Sequence, residues 1–174
     1  ERRGAGEPVT VDRDKTQKEL VRVPMIFDAV KRAGMGTAAL DWPGTVGSAS
    51  IDDQIPVMAQ RVENATPQLK AELQRAGLFE KYNAGDMGAR DDVRVAAARW
   101  ILKEHAPGLL AVHLAELDSV HHDHGPNTPE GRAAAHRLDG RIGEIARAIN
   151  DAGLRDKTTL FESVGAVVVM DGVE

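Results

Sequence analysis

The run from Leu109 to Thr128 constrains this chain more than any other. Leu109-Leu110-Ala111-Val112 is apolar and of strand length. It gives way to Asp118-Ser119-Val120-His121-His122-Asp123-His124-Gly125-Pro126, a stretch dense in groups that can bind a metal. A short apolar run bounded by a turn signal reads as a buried strand. In an α/β sheet, side chains at the carboxyl end of such a strand face the crevice where ligands bind. Asp118 and His122 stand four residues apart at that point, a carboxylate and an imidazole suited to a divalent transition metal, zinc first by ligand type. The plain alternative is a polar loop with solvated histidines, and permissive ligand spacing leaves both open. Extending the strand period of two, Glu116 shares the face of Asp118 and His113 takes the other.

A chain of 174 residues, 42% hydrophobic, is long enough to bury the core that such a strand needs. Its net charge of −5, with acids and bases interspersed and no basic stripe, argues against nucleic acid as a partner. The absence of cysteine excludes disulfides and thiolate chemistry. No apolar run approaches membrane-spanning length, and no amino-terminal signal pattern is visible. The sequence starts at Glu1 and stops at Glu174 just after an apolar run. It is therefore expected to be a piece of a longer protein, a single partial domain over residues 1–174.

Along the chain, residues 1–20 are polar and read as irregular. Pro24 opens a helical pattern through Ala33, closed by Gly34, and Met35 to Trp42 reads as a strand ended by the turn Trp42-Pro43-Gly44-Thr45. That tryptophan is expected at a packed corner. Ile51 to Met58 has no clear period, and Asp52 and Asp53 are expected to be solvated. Thr66-Pro67 starts a helix with Leu69, Leu73 and Ala76 on one face, and Gly77 ends it. Tyr82 to Ala89 reads as loop, and residues 90–105 as a helix burying Val93, Ala96, Ala97, Trp100 and Ile101. Thr128-Pro129 caps a long helix to about Ala152, with Leu138, Ile142, Ile145 and Ile149 stepping by four, three and four. His136 and Asp139 are expected on its surface. Thr158 to Phe161 and Gly165 to Met170 are strand material. This order predicts an α/β fold, a layered sheet with helices on both faces.

The segment Leu114-Ala115-Glu116-Leu117-Asp118-Ser119-Val120-His121-His122-Asp123-His124-Gly125-Pro126-Asn127-Thr128-Pro129-Glu130 resembles the metal-binding motif of type I phosphodiesterases and nucleotide pyrophosphatases, in the alkaline phosphatase superfamily. The shared pattern is Asp, three residues, His, two residues, Gly-Pro, then a helix opened by Pro-Glu. Thr37-Ala38-Ala39-Leu40-Asp41-Trp42-Pro43-Gly44-Thr45 is similar to the family's strand running into a Trp-Pro turn, and residues 15–34 to its preceding helix. The resemblance covers about residues 10–161. It implies an incomplete alkaline-phosphatase-like core and two zinc ions around a Ser or Thr nucleophile that forms a phospho-enzyme. It also implies a small phosphate-ester or nucleotide substrate. By motif position, Asp118 and His122 hold the metal that polarises the substrate and carries the incoming water, with His121 and His124 at the rim. Relatives of this kind are often exported.

Two departures from the family pattern follow. The family's nucleophile and first metal-binding Asp lie upstream of the segment matching residue 10, and nothing here occupies those positions. Thr45 and Ser119 are hydroxyls, but neither stands at the nucleophile position. This portion is therefore expected to be inactive, or nearly so, by itself. After Phe161 the family continues to Ser-Asp-His-Gly, whereas residues 162–174 depart. The strand ending in Asp171-Gly172 matches either that segment without its His or the family's first strand, ending in Asp-Gly. Either match makes Asp171 a ligand of the second metal. Alternatives within the superfamily are a phosphomutase or a sulfatase-like hydrolase; outside catalysis, the alternative is a binding domain that kept the fold. The Trp-Pro-Gly turn and the Gly-Pro after His124 favour the phosphodiesterase branch.

Overall fold

Strands β1 (Thr37–Leu40) and β3 (Leu109–His113) form the middle of a five-stranded sheet and are almost wholly buried. Continuous apolar runs such as these suit strands covered on both faces. The computed structural model describes residues 15–57, 64–163 and 165–171; the irregular run expected at 1–14, Met58 and Gly172 fall outside them. The sheet order is β2-β1-β3-β5-β4, with β2 at Asp53–Ile55, β4 at Thr158–Ser163 and β5 at Ala166–Asp171. β2, β1 and β3 are parallel, while β5 runs antiparallel to both β3 and β4. The carboxyl ends of β1 and β3 thus open on one rim of the sheet, beside the amino end of β5. There Leu114 N donates to Gly165 O at 2.6 Å, and a Cβ on Gly165 would lie 2.8 Å from Leu114 O.

Seven helices lie among the described residues: α1 (Gln17–Leu20), α2 (Ile26–Arg32), α3 (Pro67–Arg75), α4 (Leu78–Ala84), α5 (Met87–Glu104), α6 (Glu116–His124) and α7 (Pro129–Asp151). None is long and apolar enough to cross a membrane. One face of the sheet, with Ala38, Leu40, Leu110, Val112, Val167 and Val169, packs against the apolar faces of α3 to α7. On the other face Phe27 of α2 packs with Ala39, Leu109 and Ala111, and Trp42 fills the corner as expected. Helices cover both faces, in the expected α/β layering.

Four local expectations are corrected. Residues 17–20 form α1 rather than an irregular run. The stretch expected as loop from Tyr82 holds the end of α4, because Leu78, Phe79 and Tyr82 pack on the core; Asp86 then caps α5 by accepting from Ala89 N at 2.8 Å. Asp53 is not solvated: it lies in β2, buried, with His105 Nδ1 2.5 Å from its Oδ2. The residues from Glu116 to His124 form α6 instead of a loop, with Leu117 buried and Val120 packed behind it.

Candidate active-site cleft

The change from loop to helix decides what the motif residues can do. β3 ends at His113, so the strand period does not reach Glu116 or Asp118. Four-residue spacing on a helix instead puts Asp118 and His122 on one face, one turn apart. Their nearest atoms, Asp118 Oδ1 and His122 Nε2, are 3.5 Å apart, and both side chains are about three-quarters exposed. Two ligands on a tetrahedral zinc, each about 2.05 Å from the ion, stand about 3.3 Å from one another. The pair therefore fits two corners of such a site. Among the described residues no group of three or more His, Cys, Asp or Glu side chains is placed to hold a metal.

Asp118 and His122 stand on the wall of a cleft of about 750 Å³ at the rim where β1 and β3 end. The facing wall carries Asp41, the residue just after β1, and His113, the last residue of β3. Asp41 adopts φ 56°, the left-handed region that a non-glycine residue enters at a cost. Its Oδ2 meets Arg94 Nη2 at 2.9 Å and His113 Nδ1 at 3.3 Å. The hydrogen bond that His113 Nδ1 donates to Asp41 holds the imidazole above its ordinary pKa of 6.5, against the opposing effect of burial. With Nδ1 engaged, Nε2 is the nitrogen left for a ligand in the cleft.

Arg94, from α5, is the buried cation at the base of this wall. Burial works against its charge, but Asp41, the Tyr82 hydroxyl and Asp91 more than restore it. Tyr82 Oη lies 3.3 Å from Arg94 Nη2, and its ring centroid is 5.6 Å from the guanidinium carbon. Glu116, at the start of α6, faces away from the cleft. Arg137 and Arg141 of α7 clamp it, and together they draw its carboxyl below the usual range despite desolvation.

Asp171 is not brought to the other two. It pairs with Thr158, its amide donates to Gly108 O at 3.0 Å, and it sits at the opposite rim of the sheet. From Gly108 to His113 the strand runs on the order of 16 Å. Thr45 is buried, donating to Trp42 O at 2.6 Å and accepting from Gln54 Nε2 at 2.9 Å, whereas Ser119 lines the cleft. His124 is exposed and His121 half-buried on α6, while His136 and Asp139 lie on the surface of α7. Asp41, Arg94 and Tyr82 escaped the sequence reading, since residues 41, 82 and 94 meet only through the fold. The one local signal is the three-residue step from Asp91 to Arg94 on a helix.

No curated protein and no solved structure matches the chain. A family model, type I phosphodiesterase / nucleotide pyrophosphatase, matches residues 2–162 and so takes in both walls of the cleft. With that match spanning nearly its whole length, the chain belongs to the type I phosphodiesterase / nucleotide pyrophosphatase family.

Proposed function

We propose that the cleft between α6 and the ends of β1 and β3 is the metal and substrate site of a hydrolase of phosphodiester or pyrophosphate bonds. The observation that carries this reading is the Asp118–His122 pair, 3.5 Å apart on one helix face and facing the cleft. Asp118 and His122 would hold a divalent metal, zinc by ligand type. When bound, it supplies Lewis-acid stabilisation of charge on phosphoryl oxygens and activates a hydroxyl or water. Across the cleft, Asp41 fixes the His113 ring through Nδ1, so that Nε2 can hold or deliver a proton near neutral pH. Arg94 holds the Asp41 carboxylate in place through the 2.9 Å contact of its Nη2 with Oδ2. Asp171, a rim away, has no part in this arrangement. The substrate is a small phosphate ester or nucleotide. Nothing in this chain stands at the family's nucleophile position, so its own hydrolytic rate is expected to be negligible.

The test is zinc titration with metal analysis on the wild type and on the Asp118→Ala/His122→Ala double variant. One zinc per chain, lost in the double variant, supports the reading. Zinc that does not bind, or that binds both proteins equally, overturns it. In a longer form of the protein that also carries the hydroxyl, turnover of a chromogenic phosphodiester in preference to a monoester separates this reading from a phosphomutase or sulfatase-like one.

A further inference from the structure

Ala115 is the N-cap of α6, and its methyl group cannot accept a hydrogen bond from the first turn. Asp91, 24 residues upstream on α5 and 1% exposed, does so instead. Its Oδ1 accepts from Ala115 N at 3.0 Å and its Oδ2 from Glu116 N at 2.9 Å. Negative charge is favoured at a helix start, and two contacts to adjacent amides fix its direction as well as its position. The same carboxylate is gripped by Arg94 and lies 3.9 Å from Arg141 Nη1. Arg94 reaches on to Asp41, and Asp41 to His113. An unbroken line of charged contacts therefore runs from the wall bearing His113 to the helix bearing Asp118 and His122.

We propose that Asp91 is the positioning residue of the metal pair, holding the first turn of α6 so that Asp118 stands one turn below His122. The proposal rests on the metal-site reading above. Asp118 is the third residue of α6, inside the turn whose amides have no intrahelical partner. If that turn frays, Asp118 leaves the helix while His122 stays in it, and the four-residue alignment is lost. A tilt of α6 about Glu116 has a second effect. His122 lies six residues on, about 9 Å along the axis, so a 15° tilt moves it about 2 Å relative to His113.

Asp91→Asn keeps the shape and one acceptor but turns an amide donor toward the second N–H. The Arg137 and Arg141 clamp on Glu116 remains to keep α6 docked. The expected result is zinc affinity weakened about tenfold or more, the range for partners that orient metal ligands. Backbone carbon shifts of 116–118 should lose helical character while those of β1 and β3 hold. A merely structural role would lower the melting temperature and leave zinc affinity and those shifts unchanged, and that result overturns the proposal. Should the wild type take no zinc, the metal reading falls on its own and the carbon shifts alone decide the role of Asp91. Should Asp91→Asn not fold, amide exchange in the wild type decides. The Glu116 amide is expected to exchange at least tenfold more slowly than that of Asp118, and equal rates overturn the proposal.

Discussion

Asp41 and Arg94 meet at 2.9 Å with their side chains 7% and 3% exposed, so a strand end and a helix are joined by charges that water does not reach. Arg94 also grips Asp91, so one guanidinium balances two buried carboxylates. Removing one partner of such a pair leaves uncompensated buried charge, at a cost of about 3–5 kcal/mol. Arg94→Met is expected to lower stability by that amount, read from the urea midpoint at unchanged m. A loss under 1 kcal/mol would mean that the carboxylates find other partners.

The His113–Asp41 contact makes stability depend on pH. The folded-state pKa of His113 is raised above the ordinary 6.5, so its contribution is fully present below that value and fades as pH rises through the folded pKa. In denaturant titrations from pH 5.5 to 9, the stability gap between wild type and His113→Gln should be largest at the acid end and close toward the alkaline end. A gap that widens with pH contradicts the assignment.

Glu116 titrates with the opposite sign. Desolvation pushes its pKa up, but Arg137 and Arg141 overcome this and hold it below the ordinary 4.5. Its contribution is therefore present above 4.5 and is lost as pH falls through the folded value. Glu116→Gln is expected to cost about 2 kcal/mol at pH 7, the scale of hydrogen bonds to charged groups. The difference should shrink in melts carried below pH 4.5. A cost independent of pH would point to packing instead.

Gly131, in the first turn of α7, tests packing against propensity. Alanine is favoured over glycine in helices by about 1 kcal/mol. A Cβ there would lie 2.6 Å from Gly125 O and 2.9 Å from Pro126 O, backbone atoms that cannot swing away. Overpacking of this kind costs about 1–3 kcal/mol, so Gly131→Ala should be net destabilising. A raised melting temperature would show that the Gly125-Pro126 turn yields.

The elements with caps and clean periods were legible in the sequence. Thr128 at the start of α7 accepts from Gly131 N at 3.1 Å, and Leu138, Ile145 and Ile149 are buried along it at the expected steps. The motif pair Asp118 and His122 was legible as chemistry but not as geometry. From Glu116 to His124 only Leu117 and Val120 are apolar, too few to show a helical period beside six acids and histidines. The facing wall was hidden for a different reason. Asp41, Arg94 and His113 lie far apart in sequence, and burial of an ion pair leaves no local trace. Asp171 shows the reverse: the sequence reads Asp-Gly after an apolar run, and antiparallel pairing against β3 places Asp171 at the far rim from Asp118 and His122.

Helix α5 carries both Asp91 and Arg94, and its Val93, Ala97, Ala98 and Ile101 are core. The groups that fasten the two walls of the cleft are therefore rooted in the same element that closes the hydrophobic interior. Loosening α5 at Asp91 or Arg94 therefore disturbs the cleft from the side of the core, and local opening there draws on the same packing that holds the domain together.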